Sequence, residues 1–159
     1  MPNQMNKLFK QIAREQYSQI VNSAIAVLNI RQPKEGWIKT VRMALGMSGT
    51  QLANRLRNTR TITPYLERSE LEGGITIRKM QQVAEAMDCK FVYAIVPEES
   101  VESLVNQQAF KKAQALTSQA SVHMMLEDQA LTEEQLAIET QRLKGQMLKN
   151  MDRTFWDEI

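Results

Sequence analysis

The sequence predicts a mostly α protein with four parts. These are an N-terminal helical arm (residues 1–33), a cluster of four or five short helices with a helix-turn-helix inside it (34–88), one β-strand (89–97) and a C-terminal helical hairpin (98–159). Three observations predict this. Only six of 159 residues are Gly and four are Pro, while Met reaches ten, a balance that favours helix over sheet. Apolar residues recur three and four apart through most of the chain. Two S/T-x-x-Q boxes, Ser48 with Gln51 and Thr132 with Gln135, mark helix starts.

Leu8, Ile12, Ile20, Ala24, Val27 and Leu28 have helical spacing over roughly residues 4–29, and the polar stretch before Pro33 ends the arm. Trp37, Ile38, Val41 and Leu45 define a short helix, with Gly46 where a left-handed C-terminal residue belongs. Ser48 then opens a helix that carries Leu52, Ala53 and Leu56. After the break at Arg57-Asn58-Thr59 a third segment runs to about Ser69, anchored by Leu66. Thr76 is the N-cap of a helix from Ile77 to Met87 whose buried stripe is Met80, Val83, Ala84 and Met87, with Ile75 and Met80 as a staple. Phe91 to Val96 is a run of six apolar residues ending at Pro97, the pattern of a strand buried on both faces. Two amphipathic helices follow, at about 99–127 and 133–151.

Pro64 falls inside the second helix of the helix-turn-helix. Were Thr59 the N-cap, Pro64 would lack the N–H due to residue 60 and clash with its carbonyl, at about 3 kcal/mol. With Thr61 as the cap, Pro64 becomes the third helical residue, where no N–H is needed. The helix is therefore expected to start at Thr61 or beyond, or to be distorted in its first turn. Asn58 is the turn residue suited to a left-handed conformation.

The single cysteine, Cys89, excludes an internal disulfide, and the single histidine, His123, leaves no Cys/His zinc set. No Gly-rich phosphate loop, H-E-x-x-H or Ser/His/Asp set points to catalysis, so a non-enzymatic protein without a cofactor is expected. Glu133 and Glu134 sit at a helix start, where the dipole favours carboxylates. No run is apolar enough for a membrane span, and Lys7 and Lys10 interrupt any signal-peptide core, which predicts a cytoplasmic location. Charge is uneven. Residues 1–96 carry +7 and residues 97–159 carry −5, a hint of nucleic acid on one side and a different partner on the other.

Residues 38–88 resemble the lambda-repressor/Cro (XRE) family, with Arg42 in the first helix, Leu52-Ala53 in the second and Leu66-Glu67 in the third at the family's spacing. "GWIKTVRMALGMSGTQLA" and "LERSELEGGITIRKMQQVAEAMDCKFVYAIVP" are similar to a narrower family, mobile mystery protein A; "HMMLEDQ" (123–129) and "FWDE" (155–158) match it more loosely. The resemblance implies a five-helix lambda-repressor-like domain and a structural salt bridge between Arg42 and Glu67. It also implies an antitoxin of a type II toxin-antitoxin pair whose toxin is a Fic-domain protein. The inhibitory pattern (S/T)-x-x-x-E-(G/N) of Fic regulation is absent, and Ser69-x-x-Glu72-Gly73 is one residue short of it.

Under this reading the chain binds operator DNA as an autorepressor. Ser48, Gln51 and Thr59 contact phosphates, Arg60, Thr61, Ile62 and Tyr65 face bases, and Arg55, Arg57 and Arg68 add charge. Ile62 has the alternative of burial beneath the arm. Leu104, Phe110, Leu116, Val122, Met125, Leu136, Leu143, Met147 and Met151 are the expected toxin-binding surface, unless the hairpin folds back on the arm instead. Phe91, Val92, Tyr93, Ala94, Ile95 and Val96 are expected to pair with the same strand of a second copy, making a homodimer; pairing with Ile75-Thr76-Ile77 is the alternative. A pure inhibitor of the Fic protein that does not touch DNA is the competing function.

Overall fold

The computed structural model describes residues 2–126 and 131–158. Among them are seven α-helices: α1 (Pro2–Ser23), α2 (Trp37–Ala44), α3 (Gly49–Arg55), α4 (Ile62–Leu71), α5 (Ile77–Ala86), α6 (Val101–Leu126) and α7 (Glu133–Lys149). The expected end of the hairpin's first helix at residue 127, and the 127–129 part of "HMMLEDQ", lie outside the described residues. The chain forms two compact units. One is Val27–Ala94, and the other joins Met1–Ala26 to Ile95–Ile159. The arm and the C-terminal helices, separate segments in the sequence, thus belong to one body.

In the Val27–Ala94 unit, Ile38, Leu52, Leu66, Met80, Val83 and Met87 form the core, one or more from each of α2 to α5. All four helices end in the same way. In each, the residue after the C-cap is left-handed: Gly46 (φ 65°), Arg57 (52°), Gly73 (72°) and Asp88 (56°). Each is followed by the long return bond of a Schellman motif, Met47 N to Arg42 O, Asn58 N to Ala53 O, Gly74 N to Ser69 O and Cys89 N to Ala84 O, at 2.8–3.0 Å. The left-handed residue between α3 and α4 is therefore Arg57. Asn58 sits one place later, and its side chain accepts from the Thr59 N–H at 2.8 Å.

Phe91–Val96 does not form a strand. A strand exists only against a neighbour, and the alternative mate is used elsewhere: Thr76 caps α5 and Ile77 opens it. Nor is the segment buried on both faces. Phe91 packs against the core and stacks on Tyr93 at 5.8 Å, while Val92, Tyr93 and Ile95 are 63–94% exposed.

In the other unit α6 and α7 form a hairpin whose tightest contact uses small residues. Ala109, Ala113 and Thr117, four apart on α6, are buried, and the Thr117 and Thr140 hydroxyls meet at 2.9 Å. Each hydroxyl also reaches a carbonyl one turn back in its own helix, so neither oxygen is left unsatisfied. Phe155 is buried past the end of α7, and its carbonyl accepts from Gln108 at 2.9 Å. The Asn22 side chain joins α1 to the start of α6. Its oxygen accepts from the Val101 N–H at 3.0 Å and its nitrogen donates to Glu102 at 2.9 Å. The arm is helical only to Ser23; Ala24–Asn29 tightens into a 3-10 helix.

Candidate nucleic-acid interface

α3 begins with the box expected of it. Ser48 Oγ accepts from Gln51 N at 3.1 Å, and Gln51 Oε1 accepts from Ser48 N at 2.7 Å. α4 begins at Ile62 with Thr61 as its cap, so Pro64 is the third helical residue and no intrahelical bond is missing. Thr61 contributes no side-chain cap; its hydroxyl lies 2.9 Å from that of Thr59, and Ile62 N bonds to Thr59 O at 3.0 Å.

The inner side of α4 is fixed by four attachments. Leu66 is buried in the core. Thr63, also buried, donates its hydroxyl to Gly49 O at 2.7 Å, tying α4 to the first residue of α3. Glu67 accepts from Arg42 Nε at 2.7 Å, and the same guanidinium reaches Met47 O at 2.9 Å. Both side chains are mostly buried, so this pair is short, charge-assisted and little screened. Glu70 is buried and takes the N–H groups of Trp37 (2.6 Å) and Ile38 (2.9 Å), capping α2 from a different helix. Gly36, the residue before α2, has no side chain to do this itself.

The sequence reading missed Thr63 and Glu70. A signal for Glu70 was present: it stands four residues after the core anchor Leu66, on the same side of the helix, and α2 lacks a capping residue of its own.

The opposite side of α4 is open. Thr61, Tyr65 and Arg68 fall at i, i+4 and i+7 on one face and are exposed, as are Arg57, Thr59 and Arg60 in the turn. Among the described residues no carboxylate pairs with Arg57, Arg60 or Arg68. Two of the expected DNA contacts have partners within the fold. Ile62 is half-buried against the core, because it lies one turn before Leu66 on the inner side. Arg55 is committed to the end of α5, with Nη1 2.7 Å from Asp88 and 2.9 Å from Ala86 O.

Of the nine residues expected to bind a toxin, Leu104, Phe110, Leu116, Val122 and Met125 are exposed on α6. Leu136, Leu143, Met147 and Met151 are half-buried within the hairpin unit. Compared with protein-family models, curated proteins and solved structures, the chain matches none.

Proposed function

We propose that the Val27–Ala94 unit binds double-stranded operator DNA and that the chain is a transcriptional repressor. The observation that carries this is the outward face of α4 and its turn. Tyr65 and Arg68 on the helix, with Arg57, Thr59, Arg60 and Thr61 in the turn before it, are exposed, the three arginines have no carboxylate partner among the described residues, and the helix is held by four separate attachments. Such a face supplies phosphate neutralisation, hydroxyl donors and a flat amphipathic ring, while the attachments remove the freedom that binding would otherwise have to quench. A helix entering a major groove needs this combination. Ser48 and Gln51 stand beside it, and the Gln51 amide nitrogen remains available as a donor.

A second copy fits the reading. The Phe91–Val96 segment exposes Val92, Tyr93 and Ile95, and antiparallel pairing with its equivalent would satisfy its backbone groups in a two-stranded ladder and set these side chains against their counterparts. A dimer would set two α4 helices about 34 Å apart, matching one turn of DNA. The antitoxin role and the Fic-domain partner rest on the sequence resemblance. They are supported by the acidic charge of residues 97–159 and by the large apolar side chains left exposed on α6.

The deciding experiment sequences the DNA that co-purifies with the full chain and measures affinity for the recovered fragment against random DNA across a salt series. Sequence-selective, salt-dependent binding supports the repressor reading. No DNA at low salt, together with retention of the neighbouring Fic protein, favours the pure inhibitor.

A further inference from the structure

Helix α1 shows its apolar side to solvent. Its polar and small residues are turned to the rest of its unit: Ala13, Ser18, Val21 and Asn22 are half-buried, Asn22 holds the start of α6, Lys7 reaches Asn150 at 3.3 Å and Arg14 reaches the Met151 sulfur. About half a turn away lie Met5, Leu8, Phe9, Ile12 and Ile20, each 42–65% exposed. Amphipathic helices ordinarily do the reverse. A monomer that buried the other face of α1 would leave these five side chains in water for no return.

The stripe carries no charge. The remaining positions in its sector are Gln16, Gln19 and Ser23, and Glu15 lies at the rim, taken up by Gln11 at 3.2 Å. The steps in 5, 9, 12, 16 and 20 are four, three, four and four, so these residues line one side of the helix and can lie along another helix, with Gln16 between the apolar positions. An uncharged stripe gives an acidic or basic partner nothing to select, but it suits its own copy, since like charges do not meet when it is placed against itself. Contiguous exposed apolar strips of this kind mark association surfaces, and in a pair of copies each would cover the other's five side chains.

The geometry points to α1 as a self-association helix, its stripe seated on the same stripe of a second copy across a two-fold axis. The contact is independent of the DNA reading and of any pairing at Phe91–Val96. Because Phe9 and Ile12 are exposed, changing them does not disturb the folded chain.

The test has two arms, both on the full chain. In sedimentation velocity on a Tyr93→Pro background, which removes any pairing at Phe91–Val96, Phe9→Glu should weaken self-association about tenfold or more without loss of helical circular dichroism. In a Cys89→Ser background, Ile12→Cys, near the middle of the stripe, should be cross-linked to a covalent dimer by a short bis-maleimide. Gln11→Cys, exposed on another side of the helix, should not. An unchanged dimer for Phe9→Glu, or no cross-link at Ile12→Cys, overturns the proposal. So does a monomeric wild-type chain, including one whose stripe is instead required to retain a Fic protein.

Discussion

A Cβ placed on Gly36 would come within 2.7 Å of the Glu70 carboxylate, the group that caps α2. Gly36 also has φ 79°, so any other residue there is strained before it meets Glu70. Gly36→Ala should therefore cost about 2 kcal/mol or more, from the left-handed backbone and the displaced cap together. Glu70→Ala should cost about 2–3 kcal/mol, because it leaves two buried-end N–H groups without an acceptor, while Glu70→Gln keeps one acceptor and loses less. Urea denaturation of the full chain orders the three. Equal loss for Gln and Ala at position 70 would mean that the carboxylate charge, rather than the hydrogen bonds, holds α2.

Arg57 should show two effects of opposite sign. It is a non-glycine residue at φ 52°, so Arg57→Gly relieves strain and should stabilise the fold by about 1 kcal/mol. If the exposed guanidinium neutralises a phosphate, the same change should weaken binding to every DNA sequence and lower the salt slope by about one. Thermal melts and anisotropy titrations on one preparation read both. Stabilisation without any change in the salt slope would remove Arg57 from the DNA surface.

Arg60 and Ile62 are neighbours with different expected behaviour. Arg60→Ala should cost roughly 1–3 kcal/mol on the operator and little on random DNA if the guanidinium grips a guanine. Ile62→Ala removes core volume and should cost about 1–3 kcal/mol of stability, leaving affinity of the folded chain unchanged. Equal loss on both DNAs for Arg60→Ala would assign it to the phosphates.

Tyr93→Pro removes a backbone donor from the middle of the Phe91–Val96 segment while leaving a side chain that was already exposed. The fold should keep its helical content, and binding to a palindromic operator should weaken far more than binding to a half-site. Gel shift on the two DNAs checks this. A variant that keeps the parent's preference for the palindrome over the half-site would show that the segment pairs with nothing.

Glu102 should titrate below the ordinary carboxylate range. Its own backbone N–H is the largest cause and the Asn22 amide the next. A depressed folded-state value means that the contribution is present above the unfolded carboxylate range and is lost as pH falls through the folded value. Asn22→Ala should move the Glu102 titration upward in NMR and make the attachment of α1 less sensitive to acid. An unmoved titration would leave the backbone N–H and the Ser100 hydroxyl as its support.

The helices of the Val27–Ala94 unit were readable because each start and stop has a local cause: the Ser48–Gln51 box, Thr76, Gly46, and Pro64 setting the start of α4. What local pattern could not give was any contact between distant residues. Glu70 reads as one more surface carboxylate until α2 is placed against it, and Ile62 reads as an outward residue until its register with Leu66 is fixed. Arg57 was hidden for a different reason, since residue preference favours Asn58 for a left-handed turn while the length of α3 decides which residue occupies it. In α1 the apolar period located a helix but could not say which side is covered, because periodicity reports a face and not what packs on it; Leu8, Ile12 and Ile20 are exposed.

The division of the chain also orders events in time. Everything the Val27–Ala94 unit needs is contiguous, with helices separated by a few residues, so its contacts are local and quick to form. α1 is different: the Val101 and Glu102 that receive Asn22 lie about eighty residues downstream. At ~5–20 residues per second of synthesis, α1 waits several seconds for α6 while the unit between them already has its whole sequence. During that interval α1 has neither of its faces covered by its own chain, and on a polysome the nearest equivalent helix belongs to the next nascent chain.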